Sequence, residues 1–201
     1  GSGDGVYFNT AGIGVIPDGV DIGPQRARPG DLVLVSGDIG VHGVAVMSRR
    51  AGIEFESELV SDTAPLTSLV RAMLAAGEVR TFRDATRGGV ASVLNELAEA
   101  SGVSILVEEG TFPLLAPVKA ACEMLGLDPL HVANEGRFVA FIVAKDTERT
   151  QQILRRHAVS AEAALIGQVV ASAAPRVTVK SAIGASRILD MPSGEQLPRI
   201  C

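Results

Sequence analysis

Apolar and polar residues follow two different periods along this chain, and the two periods alternate. Residues 32–36 form a short, almost continuous apolar run, which is typical of a strand covered on both faces. Residues 88–100 carry apolar side chains at helical spacing, and Ser101-Gly102 ends that pattern. The same periods predict further strands at 79–83, 103–107, 138–143, 164–170 and 176–180 and further helices at 66–74, 115–126 and 147–157. The alternation predicts an α/β fold in which helices pack on a sheet.

The residues outside this alternation divide the chain into segments. Residues 1–2 are interpreted as a cloning scar. Residues 3–16 contain one β-prone run and are expected to be the remnant of a preceding domain, since a lone strand cannot bury itself. Residues 17–30 are rich in proline and glycine and predict a linker. The main domain is then expected at 31–190, followed by a mobile tail at 191–201 that has no periodicity.

The bulk composition argues against several function classes. The 201 residues carry a net charge of -5 without a Lys/Arg stripe, which argues against a nucleic-acid partner. No apolar run reaches the length of about 18 residues that a membrane span needs, so no membrane association is expected. Two cysteines do not form a disulfide framework, which predicts a reduced, cytoplasmic setting.

One loop between a predicted strand and a predicted helix carries the first candidate site. Its residues are Asp84, Thr86, Arg87, Gly88 and Gly89. A carboxylate, a hydroxyl and free backbone N–H groups at a helix N-terminus suit phosphate, and the glycines let a ligand approach the backbone. Asp84 is then placed to hold Mg²⁺ and Arg87 to meet negative charge. The alternative is that Asp84 or Thr86 only caps the helix, because no Walker pattern is present.

A second candidate lies in the polar break at 133–136, just before the predicted strand 138–143. Asn-Glu-Gly between two elements is most often a turn. The functional alternative is that Glu135 is held on a rigid edge as a general base. Histidine adds no further site, because the three histidines and Cys122 lack metal-ligand spacing and His42 is expected to have a structural or capping role.

The chain ends on a cysteine, Cys201. This is not a prenylation site, because that signal places its cysteine four residues from the end. On a tether of about eleven residues, a free thiol can reach roughly 35–40 Å when the chain is extended. The alternative is an incidental exposed cysteine.

Taken together, these residues resemble the HypE family of hydrogenase expression/formation proteins, from about residue 5 to the end. The matching segments are FNTAGIG at 8–14, VSG at 35–37, HG at 42–43, RDATRGG at 83–89, LNE at 94–96, GLDP at 126–129, VANEG at 132–136 and LPRIC at 197–201. Each segment is weak alone, but the ordered set with that terminus is highly specific. The wider, PurM-like superfamily is similar to aminoimidazole ribonucleotide synthetase, selenophosphate synthetase and thiamine-monophosphate kinase, which use ATP.

The resemblance implies the fold and the activity of an ATP-dependent carbamoyl dehydratase. The expected fold is the PurM-like C-terminal domain, a mixed β-sheet with helices packed mainly on one face. The carbamoyltransferase HypF would load Cys201 with a carbamoyl group, and dehydration of that thiocarboxamide would give a thiocyanate. Its cyanide would pass to the iron held by the HypC–HypD complex in [NiFe]-hydrogenase maturation. The implied roles are base for Glu135, metal ligand for Asp84, and nucleotide-phosphate binding for Asp84, Thr86, Arg87, Gly88, Gly89 and Asn134.

The chain departs from the family in one respect, and two rival functions stay open. Members carry an N-terminal ATP-binding and dimerising domain, of which residues 3–16 would be the last strand. We therefore expect a homodimer for the full-length protein, and weak ATP binding without turnover for this stretch alone. The rivals are a non-catalytic docking module for maturation partners and a small-molecule kinase or synthetase of the same superfamily. Cys201 distinguishes them, since a kinase has no use for a terminal thiol.

Overall fold

The computed structural model of this chain describes residues 5, 9, 11–51 and 59–191. Within them, the helices are α1 (Val41–Ala51), α2 (Thr67–Ala76), α3 (Gly89–Ser101), α4 (Ala116–Leu125) and α5 (Ala144–Leu154). The strands are β1 (Leu32–Val35), β2 (Val79–Asp84), β3 (Ser104–Glu108), β4 (Phe138–Ile142), β5 (Ala164–Val170), β6 (Arg176–Lys180) and β7 (Ser186–Ile188). The predicted β-prone run at 6–10, apart from residue 9, and the tail beyond residue 191 lie outside the described residues. No helix in the described part is long and apolar enough to cross a membrane.

The strands form one mixed sheet in the order β2-β4-β1-β5-β3-β6-β7. Its neighbours pair antiparallel, except for β3 and β6, which are parallel. The predicted mixed α/β sheet is therefore confirmed. β2 lies at one edge, and the loop that follows it leads directly into α3.

Helices cover both faces of this sheet, which corrects the expectation that they pack mainly on one face. Along β1, Val33 and Val35 belong to the cluster covered by α3, whereas Leu34 belongs to the cluster covered by α2 and α5. All five residues of β4 are buried. A strand whose side chains are apolar on both sides has to be covered on both sides, because successive side chains point to opposite faces.

A third apolar cluster fixes the loop before β4 against the remaining helices. Val44 of α1 and Val118 and Cys122 of α4 pack around Val132. Gly43 makes this close approach possible, because a Cβ there would lie 2.4 Å from the Val132 side chain, nearer than real contacts allow. The start of α1 and the residue Val132 before β4 are thereby held against α4.

Candidate functional site

The loop after β2 lines a cleft that contains three of the six predicted phosphate-binding residues, Asp84, Thr86 and Arg87. Asp84 is exposed at the end of the edge strand, and the Thr86 hydroxyl donates a hydrogen bond of 2.9 Å to its Oδ2. The cleft has a volume of about 550 Å³. Its lining residues are Arg83, Asp84, Thr86, Arg87, Ser92, Val93 and Glu96. The loop and the first two turns of α3 thus form its walls.

The two glycines of this loop fix how α3 begins. Gly88 and Gly89 have φ values of 69° and 60°, a left-handed conformation that side chains disfavour. A Cβ on Gly89 would lie 2.5 Å from the carbonyl oxygen of Leu130 and 2.6 Å from that of Val132. The N-cap residue of α3 is Gly88, and no side chain caps the helix. The alternative in which Asp84 or Thr86 caps the helix is therefore not what the structure contains.

The two arginines that line the cleft differ in their ion pairing. Arg83 is engaged in an ion pair with Glu96. For Arg87, no carboxylate of the described chain lies within ion-pairing distance. Helix N-termini and guanidinium groups both favour anions, so the cleft suits a phosphate group.

A divalent metal would find the Asp84 carboxylate here, since Glu96, the other carboxylate in the lining of the cleft, is paired with Arg83. The described residues contain no group of three or more His, Cys, Asp or Glu side chains that could hold a metal by themselves. Mg²⁺ is commonly bound by one or two carboxylates together with substrate phosphates and water. Exposed Asp84, with one oxygen hydrogen-bonded to Thr86, fits that requirement.

Asn134 joins three segments of the chain. Its side chain is fully buried, and its Oδ1 accepts a bond of 2.7 Å from the N–H of Gly40. Its Nδ2 donates to the carbonyl oxygens of Ala85 and Val132, at 2.8 and 3.1 Å. Asn134 therefore has a structural role here, and its contact with a cofactor stays a prediction.

Glu135 lies next to Asn134 but outside the lining of the cleft. Its backbone N–H donates a bond of 3.0 Å to Oδ1 of the buried Asp62. Its carboxylate is partly exposed, and Oε1 lies 4.0 Å from Nε2 of His42. The other ring nitrogen of His42 is 2.8 Å from the hydroxyl of Ser61. The structure therefore places an acidic side chain beside a largely buried imidazole, near the phosphate loop.

Ser61 and Asp62 are contributors that the sequence did not predict. They lie before α2 in a stretch without periodicity, so no pattern there signals that a loop folds back on Glu135. His42 was expected to have a structural or capping role. The only feature of the sequence that pointed to a place in the site was the HG pair at 42–43, one of the segments that carry the family resemblance. Cys201 lies outside the described residues. The other cysteine, Cys122, is buried on α4. Its burial and, as a smaller cause, the negative charge of the nearby Asp128 raise the pKa of its thiol to about 11.

Comparison with known sequences relates most of the chain to one family. The profile of "AIR synthase related protein, C-terminal domain" matches residues 28–180. Carbamoyl dehydratase HypE of Rhizobium leguminosarum bv. viciae is 51% identical over 203 aligned residues, which cover 100% of this chain and 58% of that protein. The chain thus spans about three fifths of the length of the curated relatives it matches.

Solved structures agree with the sequence comparison. A structure of the hydrogenase maturation protein HypE in complex with ATP superposes with a TM-score of 0.87 at 37% identity, covering 93% of this chain and 57% of that one. A HypE–HypF complex superposes with a TM-score of 0.83 at 42% identity, covering 87% of this chain and 57% of that one.

Proposed function

This chain belongs to the family of AIR synthase related proteins, as their C-terminal domain, and from that premise we propose that it is part of an ATP-dependent carbamoyl dehydratase of the HypE type. The observation that carries the proposal is the cleft at residues 83–96. In a chain half identical to a carbamoyl dehydratase, the lining of this cleft includes the Asp84 carboxylate, the Thr86 hydroxyl and the Arg87 guanidinium, just before the glycine-led start of α3. The same chain ends on the thiol of Cys201.

The proposed reaction removes one water equivalent from a thiocarboxamide on Cys201. An amide oxygen is a poor leaving group, so the γ-phosphoryl group of ATP first moves to that oxygen. Loss of the two N–H protons and departure of phosphate then leave a C≡N bond on the sulfur. The products are the thiocyanate, ADP and phosphate, so the oxygen removed from the amide ends in the phosphate.

The loop after β2 would bind the phosphates of the nucleotide. Asp84 would hold Mg²⁺ together with phosphate oxygens, and the ion would supply positive charge that offsets the charge of the transferring group. Thr86 fixes the Asp84 carboxylate by its hydrogen bond, and Arg87 meets the negative charge of the phosphates. Gly88 and Gly89 supply the left-handed backbone with which α3 begins, and so set the direction of the helix N-terminus next to the phosphates.

Glu135 would serve as the base that accepts protons from the amide nitrogen. Its partly exposed carboxylate can receive a proton, while its backbone is held by Asp62 and by the neighbouring, fully buried Asn134. A base must be held within hydrogen-bond reach of the proton it takes, and a rigid backbone provides that placement. In this proposal the chain end with Cys201 brings the substrate to the base.

The partners follow from the same chemistry. Cys201 would receive its carbamoyl group from HypF, and one relative has been solved in complex with a protein of that name. The thiocyanate would next donate cyanide to the iron held by a HypC–HypD pair, and the whole protein would act as a homodimer. One tail must therefore visit three places, which explains why the reactive sulfur is on a tether.

The test is to follow the mass of the whole protein after incubation with HypF, carbamoyl phosphate and ATP. The wild type is expected to gain a carbamoyl group and then to lose water. Cys201→Ala is expected to gain nothing, whereas Cys122→Ala, the matched control in the buried site, should behave as the wild type does. A carbamoyl adduct that persists on Cys201→Ala would refute the proposal.

A second variant separates the two chemical steps. Glu135→Gln removes the base but retains the shape of the side chain, so carbamoylation should persist and the loss of water should stop. Normal dehydration by this variant would exclude Glu135 as the base. Undiminished hydrogenase maturation with Cys201→Ala would instead favour a docking module.

A further inference from the structure

Glu135 faces two protons in the proposed reaction but can hold only one at a time. The first N–H proton leaves when the amide oxygen takes the phosphoryl group, because the nitrogen then forms a double bond to carbon. The second leaves when the C–O bond breaks and the C≡N bond forms. A carboxylate that has accepted the first proton cannot act as a base again until it has passed that proton on. A second proton acceptor close to Glu135 would therefore serve the reaction.

The imidazole of His42, near the start of α1, is placed to be that acceptor. Its Nε2 lies 4.0 Å from Oε1 of Glu135, and the side chain of His42 is only 12% exposed. This Nε2 is buried without a hydrogen-bond partner among the described residues. Such atoms are rare because they cost free energy, and a catalytic role is one reason for them. Catalytic hydrogen bonds often tighten when substrate binds, and a shift of about 1 Å would bring Nε2 into bonding distance.

Ser61 holds the other side of the imidazole ring. Its hydroxyl oxygen lies 2.8 Å from Nδ1 of His42 and 2.8 Å from the hydroxyl oxygen of Thr63. It also accepts a bond of 3.2 Å from the N–H of Thr63. The hydroxyl can therefore accept a hydrogen bond from Nδ1–H while it donates its own proton to Thr63. In that arrangement the hydrogen of the neutral ring is on Nδ1, and the lone pair of Nε2 faces Glu135.

Asp62, a buried acid next to Glu135, is engaged by other groups. Its Oδ1 accepts the backbone N–H of Glu135, and its side chain is only 1% exposed. Its Oδ2 lies 4.0 Å from Nε of Arg137, so an opposite charge faces this carboxylate. Asp62 thus fixes the backbone of Glu135, whereas His42 presents a neutral ring nitrogen to its side chain.

We propose that His42 accepts the first proton from Glu135 and holds it while Glu135 takes the second. This role rests on the proposed function, because it concerns the protons of that reaction, and His42 acts through Glu135 without touching the substrate. The O–H bond of protonated Glu135 breaks, and an N–H bond forms at Nε2 of His42. The imidazolium then donates to Ser61 through Nδ1 and to the regenerated carboxylate through Nε2. The carboxylate takes the second proton. After the reaction, one proton joins the released phosphate and the other passes to water.

The test compares the ADP and the thiocyanate that the whole protein forms in a single turnover, with and without His42→Gln. A glutamine amide keeps a hydrogen-bonding group near the position of Nε2 but cannot take up a proton. After loading by HypF, ADP formation is expected to keep the wild-type rate, because Glu135 still accepts the first proton. Thiocyanate formation is expected to slow about 100-fold, the lower end of what acid–base groups contribute. ADP should therefore form in excess of thiocyanate.

His157→Gln is the matched control, because it makes the same exchange in the turn after α5, and both of its rates should match the wild type. Equal slowing of ADP and thiocyanate in His42→Gln would mean that the ring only positions Glu135, and it overturns the proposal. Unchanged rates of both products in His42→Gln exclude His42 as the acceptor and leave the proposed function intact. If the loaded wild type forms no thiocyanate, the proposed function is refuted and this role of His42 with it.

The tautomer of His42 can be measured without any reaction. Nitrogen NMR spectra of histidine-labelled protein distinguish a ring hydrogen on Nδ1 from one on Nε2, and the signal lost in His42→Gln is that of His42. The hydrogen is expected on Nδ1 in the wild type, and Ser61→Ala is expected to shift the equilibrium toward Nε2. A wild-type ring with a hydrogen on Nε2 overturns the proposal, because that nitrogen could not accept a proton.

Discussion

At the scale of single residues, Asn134 shows how much one buried amide can organise. It joins the start of α1, the loop after β2 and the loop before β4 through bonds to Gly40, Ala85 and Val132. These loops carry His42, Asp84 and Glu135. The relative positions of the candidate base and the candidate phosphate loop therefore depend on the hydrogen bonds of this one side chain.

We expect Asn134→Asp to destabilise the chain by about 3 kcal/mol, because the new carboxylate oxygen faces two carbonyl oxygens and two buried acceptors lose their donor. Urea unfolding measures this change. The control is Gln152→Ala, whose exposed amide bonds only to Glu148, and its effect should stay within about 0.5 kcal/mol. Equal stabilities of the two variants would contradict the role assigned to Asn134.

Cys122 provides a pH-dependent prediction. Burial raises its thiol pKa from 9.0 to about 11, so the folded state disfavours the thiolate. The resulting stabilisation is fully present below pH 9 and is lost as the pH rises toward 11, since the unfolded chain ionises first. In a Cys201→Ser background, Cys122 should also resist alkylation at pH 8 until the chain is unfolded.

Urea unfolding between pH 8 and 11 tests this expectation. Cys122→Val is the control, because valine has a similar volume and no ionisable group. The difference in unfolding free energy between the two proteins should shift in favour of the valine variant across this range. A constant difference would show that the thiol ionises equally easily in both states.

The residues of the phosphate loop were predictable, whereas the surroundings of Glu135 were not. Asp84, Thr86 and Arg87 are neighbours in sequence between a strand and a helix, so local structure alone brings them together. The bonds from Asp62 to Glu135 and from Asn134 to Gly40 join residues 73 and 94 positions apart. Hydrogen bonds between distant loops leave no periodic signal, so the sequence did not predict the structural role of Asn134.

At the scale of elements, hydrophobic periodicity located the strands and helices that are buried. The bounds of α3, β5 and β6 agree with those predicted within one or two residues. β7 was missed because its three residues are all exposed and carry no alternation. No bounds were predicted for α1, whose sequence includes Gly43, a residue that disfavours helices and is needed there for contact with Val132.

Gly89→Ala tests how the start of α3 is fixed. The variant meets both a left-handed backbone and two carbonyl oxygens within 2.6 Å of the new Cβ. Gly102→Ala is the matched control, because Gly102 is also left-handed at the other end of α3 but has nothing within 4 Å of a Cβ. Gly102→Ala should lower the free energy of unfolding by about 1–2 kcal/mol, because alanine disfavours the left-handed backbone.

We expect Gly89→Ala to lower the free energy of unfolding by about 2 kcal/mol more than the control does, because the new methyl group overlaps the two carbonyl oxygens in a packed site. Urea unfolding of both variants measures the difference. If the two alanines cost the same, the turn at Leu130–Val132 yields to the new methyl group, and glycine is required at position 89 only for its backbone.

At the scale of the whole molecule, the candidate site lies at one edge of the sheet, and the last strand of the described chain lies at the other. β2 leads into the cleft, whereas β7 precedes Leu189. The Nδ2 group of Asn95 on α3 donates a bond of 2.8 Å to the carbonyl oxygen of Leu189. The sequence predicted a separate tail, because its residues lack periodicity. It could not predict this bond, since any residue offers the backbone oxygen that accepts it.

The last prediction concerns the length of the tail, because the protein is proposed both to carry the thiocarboxamide and to dehydrate it. An insertion of 11 Gly/Ser residues after Met191 doubles the number of residues that lead to Cys201, so cis dehydration should fall about threefold if that segment acts as a passive, flexible chain. The same insertion between Ser172 and Ala173, in the exposed loop between β5 and β6, leaves the tether unchanged and serves as the control. Single-turnover kinetics of the loaded whole protein measure both. A much larger loss would mean that the tail follows one defined path into the cleft, because only a path with fixed contacts depends on the register of every residue along it.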